Sequence, residues 1–403
     1  MGTVIIIGGG AAGLAAAIAA AECGDQVTIL ERMDRVGKKI LATGNGRCNL
    51  MNTGAPRFPG GSTLAEAVLS RCGVGEQTRF WRHLGLRMRQ EDGGRVYPIS
   101  GMASTVLDAL RFAAEALQVE IITGVQVTGV FKARHGWTVM AGENKWKAER
   151  VIVAGGGCAQ PKLGSDGSCW ALLTSLGHTM VEAKPALTQI LTDTSKIKGL
   201  GGIRVRTNVS VTRGEDVVYR EAGELLFADY GVTGVCVMQC ARYVLPGDLL
   251  HIDLTGAMGF ERPEEMREEL NRRRREWRMR PGSELLTGLC VPKLAQALMQ
   301  TTGIKLNTCE ELNAAVIERM VNTASDFTLA VRGVKGFDSA QVTAGGIHAG
   351  EFRADTMESL SAQGVHAAGE VLDVDGDCGG FNLMFAFGSG ILAGLNGREC
   401  PWN

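Results

Sequence analysis

Gly8, Gly10 and Gly13 constrain this chain more than any other residues. They stand in G-x-G-x-x-G spacing between an apolar run at 4–7 and a small-residue stretch at 14–21. The run predicts a buried strand, and the stretch predicts a helix closed by Gly24. A second apolar run at 27–30 predicts another strand, ending in Glu31, 18 residues beyond Gly13. Each position has a physical task. Gly8 permits a tight turn out of the strand. Gly10 lets the backbone approach a pyrophosphate at the positive end of the helix. Gly13 lets helix and strand pack closely. Glu31 can accept hydrogen bonds from a ribose diol. The glycines alone are a weak signal. With strand, helix and acid in place they predict a dinucleotide site.

The 403 residues suffice for two or three domains. A net charge of −1 and 5% aromatic residues offer nucleic acid neither a basic surface nor stacking platforms, so none is expected as a partner. The 11 cysteines are scattered. Cys236 and Cys240 form C-x3-C without a second pair at zinc spacing, so no metal site is expected. Reduced thiols in a cytoplasmic protein are the expectation. Residues 4–21 lack a basic flank and are broken by glycines, which argues against a signal peptide or membrane span. No other run is suited to crossing a membrane.

Further along, 62–86 and 104–117 are helical in pattern, and 119–123 is a strand. A hairpin or meander is predicted over 125–140, with Arg134, His135 and Gly136 in its turn. A third buried strand, 151–154, runs into Gly155, Gly156 and Gly157. From 187 the pattern alternates as in β structure, and from 261 it becomes charged and helical. Helices are predicted at 261–280, 285–289, 294–300 and 309–323, and strands at 327–334 and 340–343. A last buried strand at 365–368 leads to Gly369 and Glu370, and Gly379-Gly380 opens a helix at 381–395. The fold expected is α/β. A discontinuous cofactor domain spans 1–186 and 345–403. A β subdomain at 187–256 and 325–344 and a helical subdomain at 257–324 are inserted into it. Six arginines lie within 271–280, following Glu264, Glu265, Glu268 and Glu269. Glu268/Arg272 and Glu269/Arg273 are i,i+4 pairs, so a solvated helix face is expected.

The second glycine turn narrows the dinucleotide. Glu370 can hold a ribityl hydroxyl or a bridging water. The start of the last helix can stabilise negative charge on a reduced isoalloxazine. That arrangement suits FAD and has no use in a simple NAD dehydrogenase. The small, polar loop 43–49 can run close to such a cofactor and donate backbone N–H groups.

The whole chain resembles the HI0933-like, or BaiN-type, FAD-dependent oxidoreductases, which include bile-acid-type reductases and aminoacetone-oxidase-like proteins. The resemblance rests on VIIIGGGAAGL, GKKILATGNGRCNLMNTG, GRVYPISGMAS, GELLFADYGVTG, VTAGGI and TMESLSAQGVHAAGEVLDVDGDCGGFNLMFAFGSG. It implies a Rossmann-like FAD-binding domain, a β-barrel-like insert and a small helical insert, with no separate nicotinamide domain. FAD contacts would fall on Gly8, Gly10, Ala12, Gly13, Glu31, Arg32, Lys39, Thr43, Gly44, Gly46, Arg47, Cys48, Val127, Gly155, Gly369, Glu370, Gly380, Phe381 and Asn382. The chain departs from the related patterns at Val36-Gly37, where a second glycine is common. It departs again at Ala154-Gly155 and at Asp377-Cys378.

Disulfide chemistry needs two cysteines beside the flavin, and the 43–49 loop holds only Cys48, which is expected to be a packing group. Hydride chemistry belongs to the cofactor. The protein must hold the substrate and move a proton. Tyr97 and Tyr230, two of only four tyrosines, are the candidate proton donors. Arg95 is the candidate for holding a substrate carboxylate. His348 and His366 are expected to be structural. The expected activity is reduction of an enone or dienone in a hydrophobic small molecule such as a steroid or bile-acid-like compound, with NADH or NADPH as donor. A flavin amine oxidase using O2 and a non-catalytic or RNA-associated flavoprotein are the alternatives.

Overall fold

The structure is a computed structural model that describes residues 2–402. The chain divides into two units, 1–186 with 337–403 and 187–336.

The first unit is built on a five-stranded parallel sheet. Its order is Val365–Ala367, Arg150–Val153, Thr3–Ile7, Gln26–Glu31 and Glu120–Thr123. Residues 4–7 are buried on both faces, which is why the run carries no alternation. The helix Ala11–Glu22 is buried from Ala12 to Ala20, as a helix apolar on all sides must be. The last helix, Phe381–Leu395, packs on it. A Cβ on Gly390 would lie 2.3 Å from the Ala12 carbonyl oxygen, and one on Gly394 would lie 2.3 Å from that of Ala16. The two ends of the chain therefore meet backbone to side chain-free backbone. Smaller sheets add Met51–Asn52, Arg95–Pro98 and Met88–Gln90, and a meander of Gly129–Lys132, Trp137–Ala141 and Asn144–Ala148.

The second unit contains a closed six-stranded barrel in the order Ile190–Thr192, Gly231–Thr233, Asp216–Ala228, Arg204–Arg213, Leu249–Asp253 and Phe327–Val334. Val205, Thr207, Val209 and Val211 point inward and alternate with more exposed neighbours. The helices Pro263–Glu276, Pro292–Thr302 and Ala314–Ser325 share one apolar cluster with the barrel, in which Leu270, Leu298 and Met320 join Leu250 and Phe327.

Several expectations need correction. The chain returns to the first unit at 337, earlier than 345, because Val342–Ile347 pairs antiparallel with Met180–Ala186. The stretch 257–324 shares its core with the barrel and is not a separate compact body. Residues 62–86 form two helices, Ser62–Arg71 and Val74–His83, interrupted at Cys72-Gly73. Residues 125–128 are irregular, and 285–289 forms turns after a short 3-10 segment at Gly282–Glu284. The arginine-rich helix is only partly a solvated face. Arg273 is 5% exposed and donates to the carbonyls of Leu285 (2.7 Å) and Thr287 (2.8 Å) and to Glu269 (2.6 Å). Its guanidinium also lies 4.3 Å from the centroid of the Trp277 ring. Glu269, not Glu268, carries the pairing with Arg272.

Two predictions follow from this packing. Gly394→Ala should destabilise the protein by about 1–3 kcal/mol in denaturant unfolding, because backbone must move to admit the methyl group. His366 is fully buried on the edge strand of the parallel sheet, and burial lowers its pKa from 6.5 to about 4. The neutral ring is the form the fold accepts. Stability is full above the unfolded pKa and is lost as pH falls from 6.5 toward 4, by about 3 kcal/mol. His366→Gln should flatten that part of the stability–pH curve.

Candidate functional site

The N-terminal glycine turn is shaped for an anion. No side chain caps the helix that begins at Ala11. A Cβ on Gly13 would lie 1.9 Å from the Gly8 carbonyl oxygen, so turn and helix touch there. A Cβ on Gly10 would meet nothing within 4 Å. Gly10 therefore borders open space, which is what an approaching pyrophosphate requires. Gly9 was not singled out in the motif, yet a Cβ there would lie 2.4 Å from Val36 Cγ1, and its carbonyl accepts from Gly37 N–H at 2.9 Å. The turn at 35–37 is thus docked on the glycine loop.

Glu31 accepts from the N–H groups of Gly9 and Met33, both at 2.7 Å. A carboxylate offers about four acceptor positions, so two remain for a ribose diol. Arg32 pairs with Asp166. Near the 155–157 glycine turn, Ser165 Oγ is buried without a hydrogen-bond partner among the described residues and would stand 2.6 Å from a Cβ on Gly156. Gly155 faces Cys169, whose Sγ would be 2.1 Å from a Cβ there. Val127 is half-buried in the irregular stretch before the meander.

The C-terminal half comes to the same unit. A Cβ on Gly369 would lie 2.9 Å from the Ala12 Cβ. Glu370 does not have the freedom expected of it. One oxygen accepts from Lys39 Nζ at 2.6 Å and the other from Thr343 N–H at 2.8 Å. Thr343 Oγ1 in turn accepts from the N–H groups of Cys158 (2.8 Å) and Ala159 (2.9 Å). This threonine ties the segment after the 155–157 glycine turn to Glu370. Its only sequence signal was its place in VTAGGI.

The last helix starts at Phe381 after Gly380, again without a side-chain cap. Asn382 is committed elsewhere. Its amide closes the 376–382 loop through Gly376 N–H and C=O, both at 2.8 Å. Phe381 packs edge-on to Phe58, 6.2 Å between centroids. A Cβ on Gly380 would lie 2.7 Å from the Met51 carbonyl oxygen and 2.8 Å from Asn49 Oδ1. Asn49 Oδ1 is buried and has no hydrogen-bond partner among the described residues. Asn52 Nδ2 donates to the Gly379 carbonyl at 2.9 Å and to that of Gly93 at 3.1 Å. Asn49 and Asn52 lie within GNGRCNLMNTG, but nothing in their spacing marked them.

The loop before them holds Thr43, Gly44, Gly46, Arg47 and Cys48. Gly44, Asn45, Gly46 and Cys48 all adopt left-handed conformations. Burial pushes the Cys48 thiol up to about 12, so it is protonated and inert at neutral pH. Arg47 is held by Glu91 at 2.5 Å and lies 4.0 Å from the centroid of the Tyr97 ring. Tyr97 is buried in the strand Arg95–Pro98, and its ring carbon Cε1 would be 3.6 Å from a Cβ on Gly44. Tyr97 and Arg95 thus belong to the same unit as the glycine turns. Tyr230 belongs to the second unit, where Lys335 Nζ lies 3.6 Å from its ring centroid and burial raises its hydroxyl pKa. The sizeable groove, of about 680 Å³, is lined by second-unit residues including Thr212, Arg220, His251 and Asp326. None of the expected cofactor or catalytic residues lines it.

Residues 2–396 match the family model described as HI0933-like protein Rossmann domain. The chain belongs to the HI0933-like family. It is 38% identical over 411 residues to a 3-dehydro-bile acid delta(4,6)-reductase of Clostridium scindens, covering all of both chains. It is 27% identical over 397 residues to a ribosomal RNA dihydrouridine synthase of Escherichia coli, covering 96% of this chain and 95% of that one. Its fold is shared with a 3-ketosteroid-delta4-(5alpha)-dehydrogenase from Rhodococcus jostii, with a TM-score of 0.50, 16% identity, and 99% and 97% of the two chains covered. The protein is an FAD-dependent oxidoreductase. The residues fit that cofactor. Two uncapped helix starts lie in one unit, Gly10 faces open space, and Asn49 Oδ1 is an orphaned acceptor suited to a ring N–H. Among the described residues no cluster suits a metal ion and no helix is long and apolar enough to cross a membrane.

Gly10→Ala separates folding from cofactor binding. The apo chain should keep its stability within about 0.5 kcal/mol, while FAD retention on gel filtration falls sharply. Gly13→Ala should impair both.

Proposed function

We propose that this protein reduces a carbon–carbon double bond conjugated to a carbonyl in a hydrophobic small molecule of the steroid or bile-acid class, with NADH or NADPH supplying the electrons. The observation that carries the proposal is the full-length similarity to a reductase named for the delta(4,6) positions of a 3-dehydro-bile acid. The dihydrouridine synthases among its relatives are also named for a saturated product.

FAD, once bound and reduced by the nicotinamide, would supply the hydride chemistry at one carbon of the alkene. The protein must then protonate the neighbouring carbon or polarise the carbonyl. Tyr97 is the preferred donor. Its hydroxyl has no protein partner among the described residues, and Arg47 holds its ring from one face. Tyr230 is the second candidate, with its hydroxyl pKa raised by partial burial. The 43–49 loop, Gly10 and the start of the last helix hold the cofactor. Glu370 and Lys39 brace that arrangement as an ion pair.

A reading in which RNA is the substrate is favoured by the names of the more distant relatives. The charges weigh against it. Arg267 is neutralised by Glu318, Arg272 by Glu269 and Glu276, and Arg278 by Glu310. An amine oxidase has no comparable support.

The purified protein should be yellow, and NADH or NADPH should bleach it under anaerobic conditions. A 3-oxo-4-ene steroid should then restore the oxidised spectrum. Bleaching by small amines alone would favour the oxidase, and reoxidation only by a uridine-containing RNA would favour the synthase. Tyr97→Phe should slow reoxidation by the enone about 10²-fold and leave the bleaching step unchanged. If Tyr97→Phe and Tyr230→Phe both reoxidise at the wild-type rate, neither tyrosine is the proton donor.

A further inference from the structure

Arg95 and Tyr97 are two residues apart on one strand, so their side chains leave the same face of its small sheet. The register places Asn52 opposite Arg95 and Arg89 opposite Tyr97. Arg47 reaches the same tyrosine from the cofactor loop. Three arginines therefore converge around Tyr97. One carboxylate, Glu91, serves two of them, Arg47 at 2.5 Å and Arg89 at 3.0 Å. Arg95 is half-buried and makes no ion pair among the described residues.

Its nearby acid is already used. Asn52, directly opposite Arg95, donates to the Gly379 carbonyl at 2.9 Å, which sets this strand beside the 376–380 turn that holds Asp377. Asp377 is paired with Arg57 at 2.9 Å. Arg95 is thus a surplus cation beside the turn that opens the last helix, the end that carries positive partial charge. A half-buried guanidinium in that position is unfavourable without an anion. Its planar donors match a carboxylate in two-point contact.

We infer that Arg95 is the anchor for a carboxylate on the substrate, so that the enzyme selects acidic over neutral enones. This rests on the reading of the protein as an enone reductase. Anchoring at Arg95 would set which part of the substrate is presented to Tyr97, one strand position pair away. The ligand class is a hydrophobic molecule with a conjugated carbonyl at one end and a carboxylate at the other.

The test compares a 3-oxo-4-ene steroid carboxylic acid with its methyl ester. Binding is measured on the oxidised holoenzyme by perturbation of the flavin spectrum, and turnover by reoxidation of the dithionite-reduced holoenzyme. The wild type should bind the acid about tenfold or more tighter than the ester. Arg95→Gln should collapse that ratio to near one, and Arg95→Lys should recover part of it, because charge returns without the two-point fork. Equal binding of acid and ester by the wild type overturns the inference, as does a preference that survives in Arg95→Gln. The binding arm decides the matter without catalysis. An acid preference that depends on Arg95, with no reoxidation by either compound, upholds the anion site and removes the enone reading instead.

Discussion

The packing of the last helix against the first is the contact on which the rest depends. Gly390 and Gly394 bring Phe381–Leu395 against the carbonyls of Ala12 and Ala16 with no side chain between. That contact joins segments some 370 residues apart. It places two uncapped helix starts in one unit. One can hold a pyrophosphate, and the other can face the ring system of the same cofactor. A bulkier residue at either glycine would separate the two halves before any ligand arrived.

Around that contact, buried polar groups are paired in ways that link distant segments. Lys39, Glu370 and Thr343 connect the short helix Lys38–Ala42, the segment after the last strand and the 155–157 glycine turn. Asn52 connects three segments through the Gly93 and Gly379 carbonyls. Of the buried polar atoms without a partner among the described residues, Asn49 Oδ1 and Ser165 Oγ lie beside glycines of this site. Buried polar atoms are costly unless satisfied. Their position here fits a site completed by a bound molecule.

The Tyr97 face shows how the chemistry is divided. Arg47 belongs to the cofactor loop by sequence, yet its guanidinium is spent on Glu91 and on the Tyr97 ring. It links the loop proposed to hold the cofactor to the residue proposed to protonate the product. Arg95 stands on the same strand face and makes no ion pair among the described residues.

The sequence by itself determined the parallel sheet, its two glycine turns, the buried helices and the class of cofactor. These follow from local rules: apolar runs, residue spacing and the need for glycine where backbones touch. The alternation at 204–211 likewise disclosed barrel strands. What it left open depends on partners far apart in the chain. The return at 337 is decided by pairing of Val342–Ile347 with a strand 160 residues earlier. Glu370 and Asn382, expected to contact the cofactor, also pair with Lys39 and Gly376, and Arg273, expected on a solvated face, also donates to the buried Leu285 carbonyl. Only the tertiary structure could show this, because a side chain's chemistry depends on which neighbour satisfies it, and that neighbour is chosen by the packing of the whole chain.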